Sequence, residues 1–210
     1  MGQFEDRKDY AKGRLIGNID EPSKLLFEWL EAAKAADPED YNAMTLSTLG
    51  VDGHPCARIV LLREVQDEGG SLVFYTNYHS SKGRELDAHP HAAVTFFWRE
   101  LERQLRVRGR IERLDENESD RYFQSRPRAS QIGAWTSDQS QALNDRSDLE
   151  SKRMEVESRF PDDVPRPPHW GGYRLLIERL EFWQGRTGRL HDRVCFEKSK
   201  DSWDVQRLQP

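Results

Sequence analysis

The stretch Ala43–Glu64, AMTLSTLGVDGHPCARIVLLRE, decides the fold class. From Ala43 to Leu49 the apolar positions recur every second residue, the period of a strand with one covered face. Gly50–His54 reads as a turn and Pro55–Glu64 as its hairpin partner. A second turn, Asp67–Gly70, leads into SLVFYT at 71–76. The same period returns in HAAVTFFW (91–98), RQLRVRGRIERL (103–114), YRLLIERLEFW (173–183), RVCFE (193–197) and WDVQRL (203–208). Helices are expected over 80–89, 116–136 and 147–160. Another, of roughly three turns, starts at Asp20-Glu21-Pro22-Ser23 and presents Leu26, Trp29, Leu30 and Ala33 on one face. Strands interrupted by helices, without regular alternation of the two, predict a mainly β fold with peripheral helices, an antiparallel barrel.

Length and composition narrow the class further. With 210 residues the chain reads as one domain, 21–210, preceded by a polar arm over 1–20 that orders only against something else. Hydrophobic residues make up 36% and charged residues 33%, so the core is lean and a shared dimer face would add to it. A net charge of -5 argues against a general nucleic-acid binder, which needs excess Lys and Arg to neutralise phosphates. The longest purely aliphatic run, Ile59–Leu62, is far short of the about 20 residues that span a bilayer. The first residues lack the apolar stretch of a secretory signal, so a cytoplasmic location is expected. Cys56 and Cys195 have neither CxxC spacing nor histidine neighbours, which makes a disulfide or a metal site improbable.

Four clusters carry chemistry. Strand alternation would place Arg58, Val60 and Leu62 on one side and Ile59, Leu61 and Arg63 on the other, with the two arginines reaching either solvent or a ligand. In FYTNYHSSKGREL, Tyr75 and Thr76 end a strand, and Ser80, Ser81 and Lys82 open a helix. Free N–H groups, hydroxyls and a lysine there form either a phosphate cradle or an ordinary serine cap. Tyr122, Arg126 and Ser130 are four apart, so one helical face would present a phenol, a guanidinium and a hydroxyl, although Pro127 should bend the chain. Finally, RLHDR (189–193), if extended, aligns Arg189, His191 and Arg193 on one face, with Leu190 and Asp192 on the other. Like charges aligned in this way repel unless an anion or an electron-rich group covers them.

The motifs RIVLL, FYTN, SRPRASQIGAW, WGGYR, EFWQG and RLHDR, in this order and spacing, resemble the pyridoxamine 5'-phosphate oxidase family from about Arg7 to Pro210. The resemblance implies an FMN-binding split β-barrel, a homodimer with flavin at the subunit interface. It also implies oxidation of pyridoxamine 5'-phosphate or pyridoxine 5'-phosphate by O2 to pyridoxal 5'-phosphate and H2O2. Carried over position by position, Arg58, Ile59, Val60, Leu61, Leu62 and Arg63, then Tyr75, Thr76, Ser81 and Lys82, would hold FMN. Gln104, Gln139, Ser140, Trp183 and Arg193 would complete that site, some from the second subunit. Tyr122, Arg126, Ser130 and Arg63 would take the substrate phosphate, while Arg189, Leu190 and His191 would lie over the substrate ring, with Arg189 and His191 in the catalytic role. Arg7, Lys8, Asp9 and Tyr10 would belong to an arm that closes over the site. Two positions depart from the family pattern: Arg63 stands where lysine is usual, and Ser81 where arginine is frequent. A flavin oxidase of phenazine biosynthesis and a non-catalytic flavin- or heme-binding barrel are the alternatives.

Overall fold

In a computed structural model of the chain, the described residues are Tyr10, Gly13, 15–17, 21–200 and 202–210. Arg7, Lys8 and Asp9 lie outside them, as does most of the expected arm. Among the described residues nine strands form one antiparallel sheet: β1 (Ala43–Leu49), β2 (Pro55–Leu61), β3 (Glu64–Gln66), β4 (Ser71–Asn77), β5 (His91–Trp98), β6 (Arg103–Arg113), β7 (Trp170–Gln184), β8 (Asp192–Ser199) and β9 (Ser202–Leu208). Five α-helices of the described residues surround them: α1 (Pro22–Ala36), α2 (Ser81–Ala88), α3 (Glu116–Ser125), α4 (Arg128–Thr136) and α5 (Arg146–Arg159).

The strand order is β2-β1-β5-β6-β7-β4-β3, with β8 paired to β7 and β9 to β8. Its two edges, β2 and β3, are joined by Leu62 and Arg63 alone, so the sheet has to curl until those edges meet. The curl is visible in two bonds: Leu62 N–H donates to the Asn42 carbonyl beside β1, and Arg63 N–H donates to Val73 on β4, both at 2.8 Å. Here the expected single strand Pro55–Glu64 breaks. Arg63 does not extend the β2 face but is handed across the barrel seam to β4, while Leu62 sinks into the core.

β7 is the shared rail. Its first half pairs with β4 (Trp170↔Asn77 to Leu176↔Ser71), its second half with β8 (Arg179↔Glu197 to Gln184↔Asp192), and β6 runs along its other side throughout. A bulge shifts the β6–β7 register at Arg108/Gly109. Gly109 is required there, because a Cβ would stand 1.8 Å from the Leu176 carbonyl oxygen.

The core follows the two periods read from the sequence. β6 alternates as expected, with Leu105, Val107, Gly109 and Ile111 inward and Arg106, Arg108 and Arg110 exposed. α1, four turns rather than three, buries Leu25, Leu26, Trp29, Leu30 and Ala33 against the barrel, and Trp29 meets Phe182 edge-on at 5.1 Å. A smaller cluster, Phe123, Ile132, Val156, Val164 and Trp170, holds α3, α4 and α5 to the end of β7. Among the described residues no helix is long and apolar enough to cross a membrane, and no group of three metal-binding side chains occurs.

Candidate functional site

Two groups of polar side chains stand out, one at each end of β7. The first lines a cleft of about 380 Å³ between the end of β4 and the α3–α4 corner, with Arg63, Tyr75, Thr76, Tyr122, Arg126, Ser130 and Gln139 in its wall. Tyr122, Arg126 and Ser130 do converge, although not on one helix. α3 ends at Ser125, Arg126 is extended (φ -75°, ψ 148°), and α4 begins after Pro127. Proline cannot continue a helix through its missing N–H, so the chain turns a corner whose inner side carries all three groups.

The cleft is built for an anion. Arg126 is half-buried, with its guanidinium 4.4 Å above the Trp170 ring, and its Nη1 is buried without a hydrogen-bond partner among the described residues. Burial, and then the nearby Arg63 charge, hold its pKa below the usual arginine value. A buried cationic donor left unpaired in this way is costly, and an oxyanion is the partner that relieves it. Tyr75, Tyr122 and Trp170 form parallel rings beneath, with Tyr75 and Tyr122 3.8 Å apart.

Next to the cleft, α2 opens with Ser80 as its cap, accepting from Gly83 N–H at 3.3 Å. Lys82 reaches back to Thr76 Oγ1 (3.3 Å), Ser80 Oγ (3.4 Å) and Gln139 Oε1 (3.4 Å), all neutral oxygens. No carboxylate stands within ion-pair distance of it among the described residues. Burial and then the Arg58 charge lower its pKa. A half-buried ammonium ringed by two hydroxyls and an amide oxygen at a helix start fits a phosphate. Ser81 accepts from Arg84 Nη2 at 3.4 Å, and Ser140, next to Gln139, is exposed with φ 71°.

Arg58 behaves differently from the expectation. Its Nη2 is 2.7 Å from Glu85 Oε2 and its Nη1 also donates to Thr48, so the guanidinium is committed to a buried carboxylate. Burial alone would raise the Glu85 pKa, but the hydrogen bonds from Thr48 and Arg58 outweigh it and hold the carboxyl below its usual range. Ile59 and Leu61 are exposed on the β2 edge and Val60 is half-buried.

The second group lies at the far end of β7. Gln104, Trp183 and Arg193 are direct neighbours across β6, β7 and β8, so they share one face of the sheet. His191 packs on Trp183 at 4.6 Å, Tyr10 stands edge-on to both, and the backbone N–H of Arg186 donates to His191 Nδ1 at 3.2 Å. The expectation that RLHDR is extended fails. Thr187–Arg189 forms one 3-10 turn, Gly188 and Arg189 have φ of 60° and 62°, and β8 begins only at Asp192. The like-charge row therefore does not form: Arg193 pairs with Glu181 at 2.7 Å, Asp192 with Arg207 at 2.7 Å, and Arg189 projects into solvent with Leu190. A non-glycine residue held at positive φ is a strained position, and such positions cluster at functional sites.

Residues the sequence reading missed include Asn77, Ser137 and Trp170 in the cleft wall, and the carboxylates Glu85 and Glu181 that hold the arginines. Trp170 opens the WGGYR motif; nothing local marks the two glutamates.

Residues 30–160 match the family model described as pyridoxamine 5'-phosphate oxidase, and 170–210 match one described as the pyridoxine 5'-phosphate oxidase C-terminal dimerisation region. The chain belongs to the pyridoxamine 5'-phosphate oxidase family. It is 50% identical to the pyridoxine/pyridoxamine 5'-phosphate oxidase of Thermosynechococcus vestitus, over 97% of each chain. It is 51% identical to the Ralstonia pickettii protein of the same name, again over 97% of each. Relatives of this identity and coverage make it an oxidase of that class. Among solved structures, PhzG from Burkholderia lata in complex with tetrahydrophenazine-1-carboxylic acid superposes with a TM-score of 0.85 at 32% identity, covering 91% of this chain and 94% of that one. A pyridoxamine 5'-phosphate oxidase-related, FMN-binding protein from Nostoc punctiforme shares the fold, with a TM-score of 0.72 at 15% identity over 90% and 98%. The barrel is thus the split barrel of this family.

Proposed function

We propose that the protein is a cytoplasmic, homodimeric, FMN-dependent oxidase that converts pyridoxamine 5'-phosphate and pyridoxine 5'-phosphate to pyridoxal 5'-phosphate, with O2 reduced to H2O2. One observation carries the substrate assignment: Nη1 of Arg126, buried and without a partner among the described residues, in a cleft shared with Arg63, Tyr122 and Ser130. A phosphate ester supplies the oxyanion that this guanidinium lacks.

Distance supports the dimer. Trp170 at the cleft and Trp183 in the second group are thirteen residues apart on β7, about 40 Å in an extended strand. A ligand of flavin size cannot touch both ends of one chain. A second copy, turned so that its Gln104, Trp183, His191 and Arg193 approach the first copy's cleft, brings the groups together, and the C-terminal match to a dimerisation region supports it.

Lys82, Thr76, Ser81 and Gln139 would hold the FMN phosphate, with Gln104, Trp183 and Arg193 against its ring system. When bound there, FMN would supply the two-electron acceptor for oxidation at the substrate C4' carbon, with O2 as the final oxidant. The chain's own work is binding and orientation. Arg126, Arg63, Tyr122 and Ser130 fix the phosphate end of the substrate, so the ring can pivot only within the reach of the opposite wall. His191, with Nδ1 occupied by Arg186 N–H, carries its proton on Nε2 and offers it as a donor, and Arg189 adds positive charge beside it. Tyr10, packed on Trp183 and His191, covers this wall and limits water.

Turnover decides the reading. Reconstituted with FMN, the protein should form pyridoxal 5'-phosphate and H2O2 from both B6 phosphates and neglect their dephosphorylated forms. Turnover of tetrahydrophenazine-1-carboxylic acid in preference to either would move it to the chemistry suggested by the PhzG likeness. A stable flavin-loaded monomer in sedimentation would remove the dimer.

A further inference from the structure

Glu181 sits on β7 two residues before Trp183 and is 4% exposed. Three guanidinium groups converge on its carboxylate. Arg193 donates Nε and Nη2 to Oε1 at 3.0 and 2.7 Å, Arg106 donates Nη1 to Oε2 at 3.2 Å, and Arg179 Nη2 stands 3.8 Å from Oε2. The register explains the meeting. Arg106 lies directly opposite Glu181 on β6, Arg179 is two positions earlier on the same face of β7, and Arg193 is diagonal to it on β8. A lone buried carboxylate would be strongly unfavourable; here it is more than neutralised, and the surplus charge is positive.

Arg193 is held from a second side as well, since its Nη1 donates to the Gln209 carbonyl at 2.8 Å. A guanidinium has five N–H groups in a rigid planar fork. Glu181 occupies two of them and Gln209 a third, which leaves one N–H on each terminal nitrogen uncommitted, on a side chain whose rotation is blocked. Arg193 is also the direct cross-strand neighbour of Trp183, so those two donors stand at the aromatic wall.

The geometry points to Glu181 as the positioning residue of the flavin wall: with the Gln209 carbonyl, it clamps Arg193 so that its two remaining N–H groups are presented, already ordered, to the flavin. This rests on the reading that FMN lies against Trp183 and Arg193. A clamp of this kind lowers the ordering cost of binding and makes no contact with the ligand itself.

Coupling between the two residues tests it. FMN affinity is measured by quenching of flavin fluorescence on titration of the flavin-free dimer, for the wild type, Glu181→Gln, Arg193→Ala and the double variant. Glu181→Gln is expected to weaken FMN at least tenfold while sedimentation and circular dichroism remain those of the wild-type dimer. Arg193→Ala should do the same, and the double variant should fall within about threefold of the weaker single one, because both remove a single interaction. Glu181→Asp, which keeps the charge, should recover part of the loss. Wild-type affinity in Glu181→Gln, or losses that multiply in the double variant, would overturn the clamp. If Glu181→Gln does not fold, the chain lacking Gln209 and Pro210 decides: a loss of threefold or more supports the clamp, and unchanged affinity overturns it. A wild-type protein that binds no FMN would sink the proposed function and the clamp with it, whereas one that binds FMN equally in all variants sinks the clamp alone.

Discussion

The phenol rings of Tyr75 and Tyr122 lie 3.8 Å apart and 13° from parallel, tying the end of β4 to α3 at the mouth of the anion cleft. Burial first, then the carboxylates Glu64 and Glu118 and the Tyr122 ring, push the Tyr75 pKa up to about 12. Tyr75 therefore stays a neutral donor throughout the physiological range. Replacing Tyr122 by Phe keeps the stack and removes only a hydroxyl, so the KM for pyridoxine 5'-phosphate should rise by about 1 kcal/mol or less in binding energy, with the melting temperature unchanged. Tyr122→Ala removes the stack as well and should raise KM further and lower the melting temperature. Equal KM values in the two variants would show that the hydroxyl, rather than the stack, holds this wall.

Arg126 supplies the sharper test of the phosphate assignment. Arg126→Ala removes a charge-assisted donor to a dianion and should weaken substrate binding by about 2 kcal/mol or more, roughly thirtyfold in KM. The dephosphorylated substrates, already poor, should lose little. Arg63→Lys keeps the charge at the seam and should be tolerated. An unchanged KM in Arg126→Ala would mean that the phosphate binds elsewhere.

These clusters were partly legible in the sequence. Period-two runs located eight of the nine strands, because alternation is a local consequence of one buried face. β3 was hidden, since Pro55–Glu64 reads as one run and only the closing of the barrel breaks it at Leu62–Arg63. The convergence of Tyr122, Arg126 and Ser130 followed from spacing, although for the wrong local reason: a proline corner, rather than a helix face, gathers them. RLHDR was misread as a strand because nothing in five residues reports that Arg189 adopts positive φ after Gly188. Glu85 and Glu181 escaped altogether, since a carboxylate's partner is set by strand register between segments far apart in sequence.

A stability prediction follows from the β6–β7 bulge. A methyl group at Gly109 would stand 1.8 Å from the Leu176 carbonyl, so Gly109→Ala has to push two central strands apart. The expected loss is about 1–3 kcal/mol, seen as a lower melting temperature, with FMN affinity falling because Gln104 and Trp183 lie on the same pair of strands. A melting temperature equal to that of the wild type would show that the bulge relaxes freely.

The last prediction concerns Arg189 and His191. Burial first and then the Arg189 charge hold the His191 pKa below its ordinary value of 6.5. Burial and a neighbouring cation both oppose protonation, so the neutral, Nε2-protonated ring persists to lower pH than in a free histidine. Protonation of Nδ1 destroys the hydrogen bond it accepts from Arg186 N–H, so if that bond aims the ring at the substrate, the rate of flavin reduction by pyridoxine 5'-phosphate should fall on acidification only below pH 6.5. Arg189→Gln should move that fall upward towards 6.5, and His191→Ala should abolish it. Both truncations should retain fold and FMN, because neither side chain is part of the barrel core. Arg189→Ala should cost more than His191→Ala, roughly tenfold to a thousandfold in the reduction rate, or about 1.4 to 4 kcal/mol of barrier. Anaerobic stopped-flow bleaching of the flavin across pH 5 to 8 measures each of these. Wild-type rates in both variants, or an acid limb that ignores Arg189, would leave His191 as a packing partner of Trp183 and Arg189 as the exposed end of a turn.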